Sequence, residues 1–142
     1  MKYFIFFSFI LLSPTTFCQQ VANYSSGVRG TNDFEEFSFW ARNNARAEIY
    51  YRYGKVPEEV KLTYGGRTLM RNRQCFKVKF PNGYELLISP KDQGLRVMDE
   101  DENYNKIFQW EYEGPVDGVG TACDICTKDE WEALVLIKAY FI

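Results

Sequence analysis

At 142 residues, with 17 basic and 19 acidic side chains, the chain has the size of one domain and a net charge of −2. It contains no histidine. That excludes Ser-His-Asp and Cys-His catalysis, His-ligated zinc or copper, and any imidazole acid or base. No basic run, RNP-type motif or zinc-finger spacing points to nucleic acid.

The first element is a leader. Met1-Lys2, the apolar run Tyr3–Leu12 and the polar stretch Ser13–Cys18 have the anatomy of a secretory signal peptide, too short to cross a bilayer as a helix. Cleavage after Cys18 leaves 124 residues starting at Gln19 and places them in the periplasm or outside the cell. Acylation of Cys18 would instead give a lipoprotein, but the bulky Phe17 fits a lipoprotein signal poorly. With no second apolar run of membrane length, the mature chain is expected to be soluble.

Residues 19–30, with Ser25-Ser26-Gly27 and Gly30, read as a flexible lead-in. A helix is predicted from 31 to about 48. Asp33, Glu35 and Glu36 sit in its first turn, Phe34, Phe37, Ala41 and Ala45 recur at three- and four-residue spacing, and Arg42 and Arg46 fall late. Ile49–Tyr53 prefers an extended strand. From Val60 to Tyr112 short alternating runs are divided by turn residues, with Gly65-Gly66 read as a two-residue hairpin and Pro81-Asn82-Gly83 as another turn. A last helix is predicted after Cys126, with Thr127 and Glu130 as its capping box. It carries so many apolar residues that burial on most sides is expected. The fold class expected is therefore α+β: an N-terminal helix, an antiparallel meander of five to six strands and a C-terminal helix packed on the sheet, as a single domain over 31–142.

Three cysteines remain after cleavage. Cys123-Asp124-Ile125-Cys126 lies just before the predicted helix, a placement that favours a thiolate, so Cys123, Cys126 and Cys75 are the disulfide or redox candidates. Only 16 residues follow Cys126 and none is proline, so a thioredoxin-like context is missing. The favoured arrangement is a local Cys123–Cys126 disulfide with Cys75 unpaired. Alternation places Cys75 on the outer sheet face with Lys77 and Lys79, opposite Phe76, Val78 and Phe80.

Asp99–Asn103 offers acidic side chains at alternate positions, but Tyr104 and Trp110 stand where a calcium loop needs glycine and glutamate. A solvated hairpin loop is the better reading, and no metal or cofactor is expected. Glu111, Glu113 and Asp117 are the carboxylates a glycosidase reading would need. Tyrosines at strand spacing read mainly as core, with Tyr50 beside Arg52 as the exposed exception. Tyr50, Arg52, Lys77 and Lys79 form the candidate partner surface. The function expected is that of a small exported, non-catalytic binding or inhibitory module with a protein partner. The alternatives are a thiol–disulfide protein using Cys123 and Cys126, or a sugar-binding protein.

Overall fold

A computed structural model describes residues 20–41, 47–56, 58–91, 93–111 and 126–142. Eight antiparallel strands follow in chain order: β1 (Gln20–Ser26), β2 (Glu35–Ala41), β3 (Glu48–Tyr53), β4 (Glu58–Met70), β5 (Arg73–Lys79), β6 (Glu85–Pro90), β7 (Leu95–Met98) and β8 (Asn105–Glu111). Each pairs with the next, and β8 returns to β1 through Asn23↔Glu111, Tyr24↔Trp110 and Ser25↔Gln109. The sheet thus closes into an up-and-down barrel, followed, among the described residues, by one helix, α1 (Glu130–Phe141).

This overturns the α+β expectation. The predicted N-terminal helix is absent: Glu35–Ala41 is a strand, and so is Gln20–Ser26, the stretch read as a flexible lead-in. In β2, Phe37, Phe39 and Ala41 alternate into the barrel while Glu36 and Ser38, pointing the other way, are also buried. A strand covered on both faces leaves no polar stripe to reveal its two-residue period. The alternating runs after Val60 do form neighbouring antiparallel strands, but as five staves of a closed wall.

The interior of an eight-stranded barrel is just wide enough for side chains to fill, or for one small ligand. Here Tyr24, Phe37, Phe39, Phe76 and Phe108 occupy it, each less than 1 % exposed. Phe37 meets Phe108 edge-on with ring centroids 5.0 Å apart. Outside, Arg52, Glu59, Lys61, Lys77 and Lys79 form ion pairs on the wall. An apolar inside and a charged outside is the reverse of a lipid-spanning barrel, whose outer face is an apolar band. Among the described residues no helix is long and apolar enough to cross a membrane.

Helix α1 closes one end of the barrel. Its N-cap is Asp129, whose side chain accepts from the Glu132 amide at 2.8 Å, while Glu132 accepts from the Lys128 amide at 2.6 Å. The capping box is thus two residues later than predicted. Thr127 instead ties the chain to β1, its amide donating to the Val21 carbonyl at 2.8 Å and its hydroxyl accepting from Trp110 Nε1 at 3.2 Å. Ala133, Leu136, Ile137 and Phe141 face the barrel, and the Phe141 ring packs against Phe39, Phe76 and Tyr64. The Tyr64 hydroxyl donates to the Phe141 carbonyl at 2.8 Å. Trp131, 74 % exposed, and Val135 lie on the outer side, so this helix is less enclosed than its composition predicts.

Gly65-Gly66 is a bulge inside β4 and not a hairpin turn. A Cβ on Gly65 would lie 2.8 Å from Lys77 Cβ, and Gly66 has φ +92°, so glycine lets β4 bend tightly against β5. The turn itself is Arg71-Asn72, both with positive φ, the geometry a tight two-residue hairpin demands. The bent hairpin tip reaches the β7–β8 loop, where Arg71 pairs with Glu102 at 2.9 Å. Beneath it Met70, Cys75, Leu87 and Met98 form a small apolar cluster outside the barrel.

The Tyr24 hydroxyl is buried and has no hydrogen-bond partner among the described residues. Such a group loses its water without recompense, so Tyr24→Phe is expected to stabilise the fold by about 1 kcal/mol. Urea denaturation of the two proteins measures the difference, and a loss of that size would mean that the hydroxyl has an acceptor.

Candidate functional site

The end of the barrel opposite α1 is its mouth, ringed by the β1–β2, β3–β4, β5–β6 and β7–β8 loops. Glu35, the first residue of β2, points inward in phase with Phe37 and Phe39 and is 3 % exposed. It forms an ion pair with Lys106 of β8 and accepts hydrogen bonds from the hydroxyls of Tyr104 and, at 3.0 Å, Tyr51. Register explains the convergence. Tyr51 lies opposite Phe37, and Lys106 opposite Val97, so both point inward. Tyr53 lies opposite Glu35, and Lys106 sits 5.4 Å from the centre of the Tyr104 ring.

Aromatic rings complete the rim. Phe80 packs against Tyr51 at 5.1 Å and Tyr84 at 5.8 Å, and Tyr53 and Tyr84 are 58 % and 44 % exposed. Burial first, then the Glu35 charge and its hydrogen bond, push the Tyr51 hydroxyl well above its ordinary range. The same causes act on Tyr104, with the hydrogen bond to Glu35 ahead of its charge. Both phenols therefore stay protonated at neutral pH and can donate to the carboxylate. The buried charge is met by an ammonium and two hydroxyls, the condition for its tolerance in an apolar interior. The mouth thus combines exposed rings, hydroxyls and one internally balanced charge pair.

A second polar network lies on the outer wall of the same strands. Glu36 is fully buried between Arg29, at 2.7 Å, and Arg52, at 3.2 Å. Arg29 also pairs with Glu111, which accepts from Ser25, and Arg52 pairs with Glu59. These contacts staple the β1–β2 loop and five strands, β8 and β1 to β4, together.

The predicted partner residues lie on that same outer wall. Tyr50 donates to Glu48 at 2.8 Å with its ring beside Trp40. Arg52 belongs to the Glu36 network, and Lys77 and Lys79 share Glu85 at 3.5 and 3.3 Å. Strand β4 separates the first two from the last two, and Arg52, Lys77 and Lys79 each pair with a carboxylate.

Cys75 is free and buried in the outer apolar cluster, on the face predicted for it. Cys126 is disulfide-bonded, and Cys123 lies outside the described residues. Cys126 makes a parallel bridge with Val21, three residues before the N-cap of α1, so it is not held at the helix N-terminus as predicted. Asp99–Tyr104 forms the β7–β8 turn, closed by the Asp99 amide donating to the Tyr104 carbonyl at 3.0 Å. Glu113 and Asp117 lie outside the described residues.

Sequence reasoning missed Glu35, Lys106 and Tyr104 as a group. The available signal was phase: a carboxylate in step with Phe37 and Phe39, and an amine in step with Phe108.

No family model, curated protein or solved structure matches this chain. The protein is a closed eight-stranded antiparallel barrel, plugged at one end by helix α1, with an aromatic and charged mouth at the other.

Proposed function

We propose that the protein is a small exported, non-catalytic binding module that receives a loop of a partner protein at the barrel mouth. The observation that carries this reading is the pairing of exposed Tyr53 and Tyr84 with a charge pair already balanced by its own neighbours. Rigid aromatic rings give contact area at low entropic cost and dominate many interfaces. The Glu35 carboxylate, held by Lys106, Tyr51 and Tyr104, orients the rim and offers no free base. The leader at residues 1–18 supports export, and a disulfide at Cys126 suits an oxidising compartment.

The test is capture from the native extract with the wild type and with a Tyr53→Ala/Tyr84→Ala double variant. A protein retained by the wild type and by Lys77→Ala is expected to bind the double variant at least about tenfold more weakly, as measured by titration. Equal retention by all three would place the contact elsewhere. A second reading, sugar binding, is favoured by those same exposed tyrosine rings. A glycan array on which binding depends on Tyr84 would select it over the first.

A further inference from the structure

The geometry points to a second site, at the helix end of the outer wall, that binds the phosphate or sulfate ester of a small sugar. A concavity of about 500 Å³ lies across β5–β8, lined by Arg73, Lys91, Gln93, Arg96 and Gln109 with Ile107 at its side. No carboxylate is among its lining residues. Cross-strand register builds it: Ser89 lies opposite Arg96, and Arg96 opposite Ile107. An adjoining hollow shares Arg73 and Lys91 and adds Lys138 from α1.

Three features separate this place from the rest of the wall. First, Arg52, Lys61, Lys77 and Lys79 each meet a carboxylate, whereas Arg73, Lys91 and Arg96 form no ion pair among the described residues. Second, the Nε of Arg96 is buried and has no hydrogen-bond partner among the described residues. A buried guanidinium N–H without an acceptor is costly, and Arg96 also lines the hollow, where its guanidinium would gain a strong charge-assisted bond from an oxyanion. Third, the cavity has the size of a small-molecule site and is far larger than one inorganic ion requires.

Charge and shape then select the ligand. One guanidinium can saturate a planar carboxylate, while two guanidinium groups and an ammonium around one hollow match the three outer oxygens of a tetrahedral ester. The amides of Gln93 and Gln109 suit the hydroxyls of the attached sugar, and Ile107 its apolar face. This site lies at the opposite end of the barrel from the mouth and does not depend on how the mouth is used.

The full chain, titrated with glucose 6-phosphate, glucose 6-sulfate, inorganic phosphate, inorganic sulfate and glucose, provides the test by nitrogen–proton NMR. One of the two esters is expected to move the Arg96 Nε–H signal saturably, with glucose moving nothing. The stronger ester identifies the source, phosphate or sulfate. Arg96→Met is expected to weaken binding about tenfold or more. Lys91→Ala, at an exposed position that folding does not need, is expected to weaken it several-fold, which covers the case in which Arg96→Met fails to fold. No saturable shift at Arg96 with either ester, or inorganic ions binding as tightly as the esters, would overturn the proposal. So would binding that survives Lys91→Ala unchanged.

Discussion

Phe39→Ala is expected to lower the unfolding free energy by about 4 kcal/mol, the middle of the range for a buried phenylalanine. Phe39 is fully buried and meets three other rings edge-on: Tyr24 at 6.1 Å, Phe76 at 6.1 Å and Phe141 at 5.5 Å. Two of those partners belong to the barrel wall and the third to the helix, so the ring is where plug and barrel meet. Removing it forfeits the transfer of a large apolar group and leaves a hole that a closed sheet cannot collapse to fill. Several edge contacts, worth about 0.5–1.5 kcal/mol each, are lost as well. Against a domain stability of about 5–15 kcal/mol that is a large fraction. Urea denaturation measures it, with Trp131→Ala as the control. That tryptophan is three-quarters exposed, so its loss is expected to cost no more than about 0.5 kcal/mol. If Phe39→Ala costs no more than Trp131→Ala, the helix does not seat in the barrel as described.

Strands β4, β5 and β8 were legible because much of one face is wet, and alternation shows wherever only one side is buried. Strands β6 and β7 are covered on both faces, with Leu87 and Met98 in the outer cluster, and were marked by the turn residues that bound them. The first two strands hide that signal. In β1 the residues that point away from Ala22 and Tyr24 are Asn23 and Ser25, polar yet buried, so the segment resembles a loose leader. In β2 two adjacent carboxylates resemble the acidic first turn of a helix. In the fold they part company: Glu35 turns inward to Lys106 and Glu36 outward to Arg29 and Arg52. The mouth was illegible for a different reason. Tyr104 and Lys106 stand 69 and 71 residues from Glu35, and only closure of β8 onto β1 brings them together. Phase marks the direction in which Glu35 and Lys106 point, but local spacing does not say that they meet, because barrel closure creates that contact last.

The same closure sets how the protein responds to alkali. Tyr24, Tyr51 and Tyr104 all have hydroxyls held well above the ordinary value of 10.0, in each case chiefly by burial. The Glu130 charge adds to the effect at Tyr24, and Glu35 at the other two. In the unfolded chain these phenols ionise near pH 10, while in the barrel they keep their protons. Above that pH the unfolded state binds fewer protons than the native one, so stability falls as pH rises. Their contribution is complete below pH 10 and drains away above it, toward the raised native values. Each group removes up to about 1.4 kcal/mol per pH unit, so the three together remove about 4 kcal/mol per unit. A protein of ordinary stability is then expected to unfold cooperatively within about two units above pH 10. Urea midpoints taken in steps upward from pH 9 measure the slope. Tyr51→Phe with Tyr104→Phe should cut the share of that slope due to these three tyrosines to about one third. Adding Tyr24→Phe should remove the rest of it, leaving the part from Tyr50 and Tyr84, whose hydroxyls burial also raises. A slope that the triple variant leaves unchanged would show that these hydroxyls ionise as freely in the barrel as in the open chain, and that the mouth is wet down to Glu35.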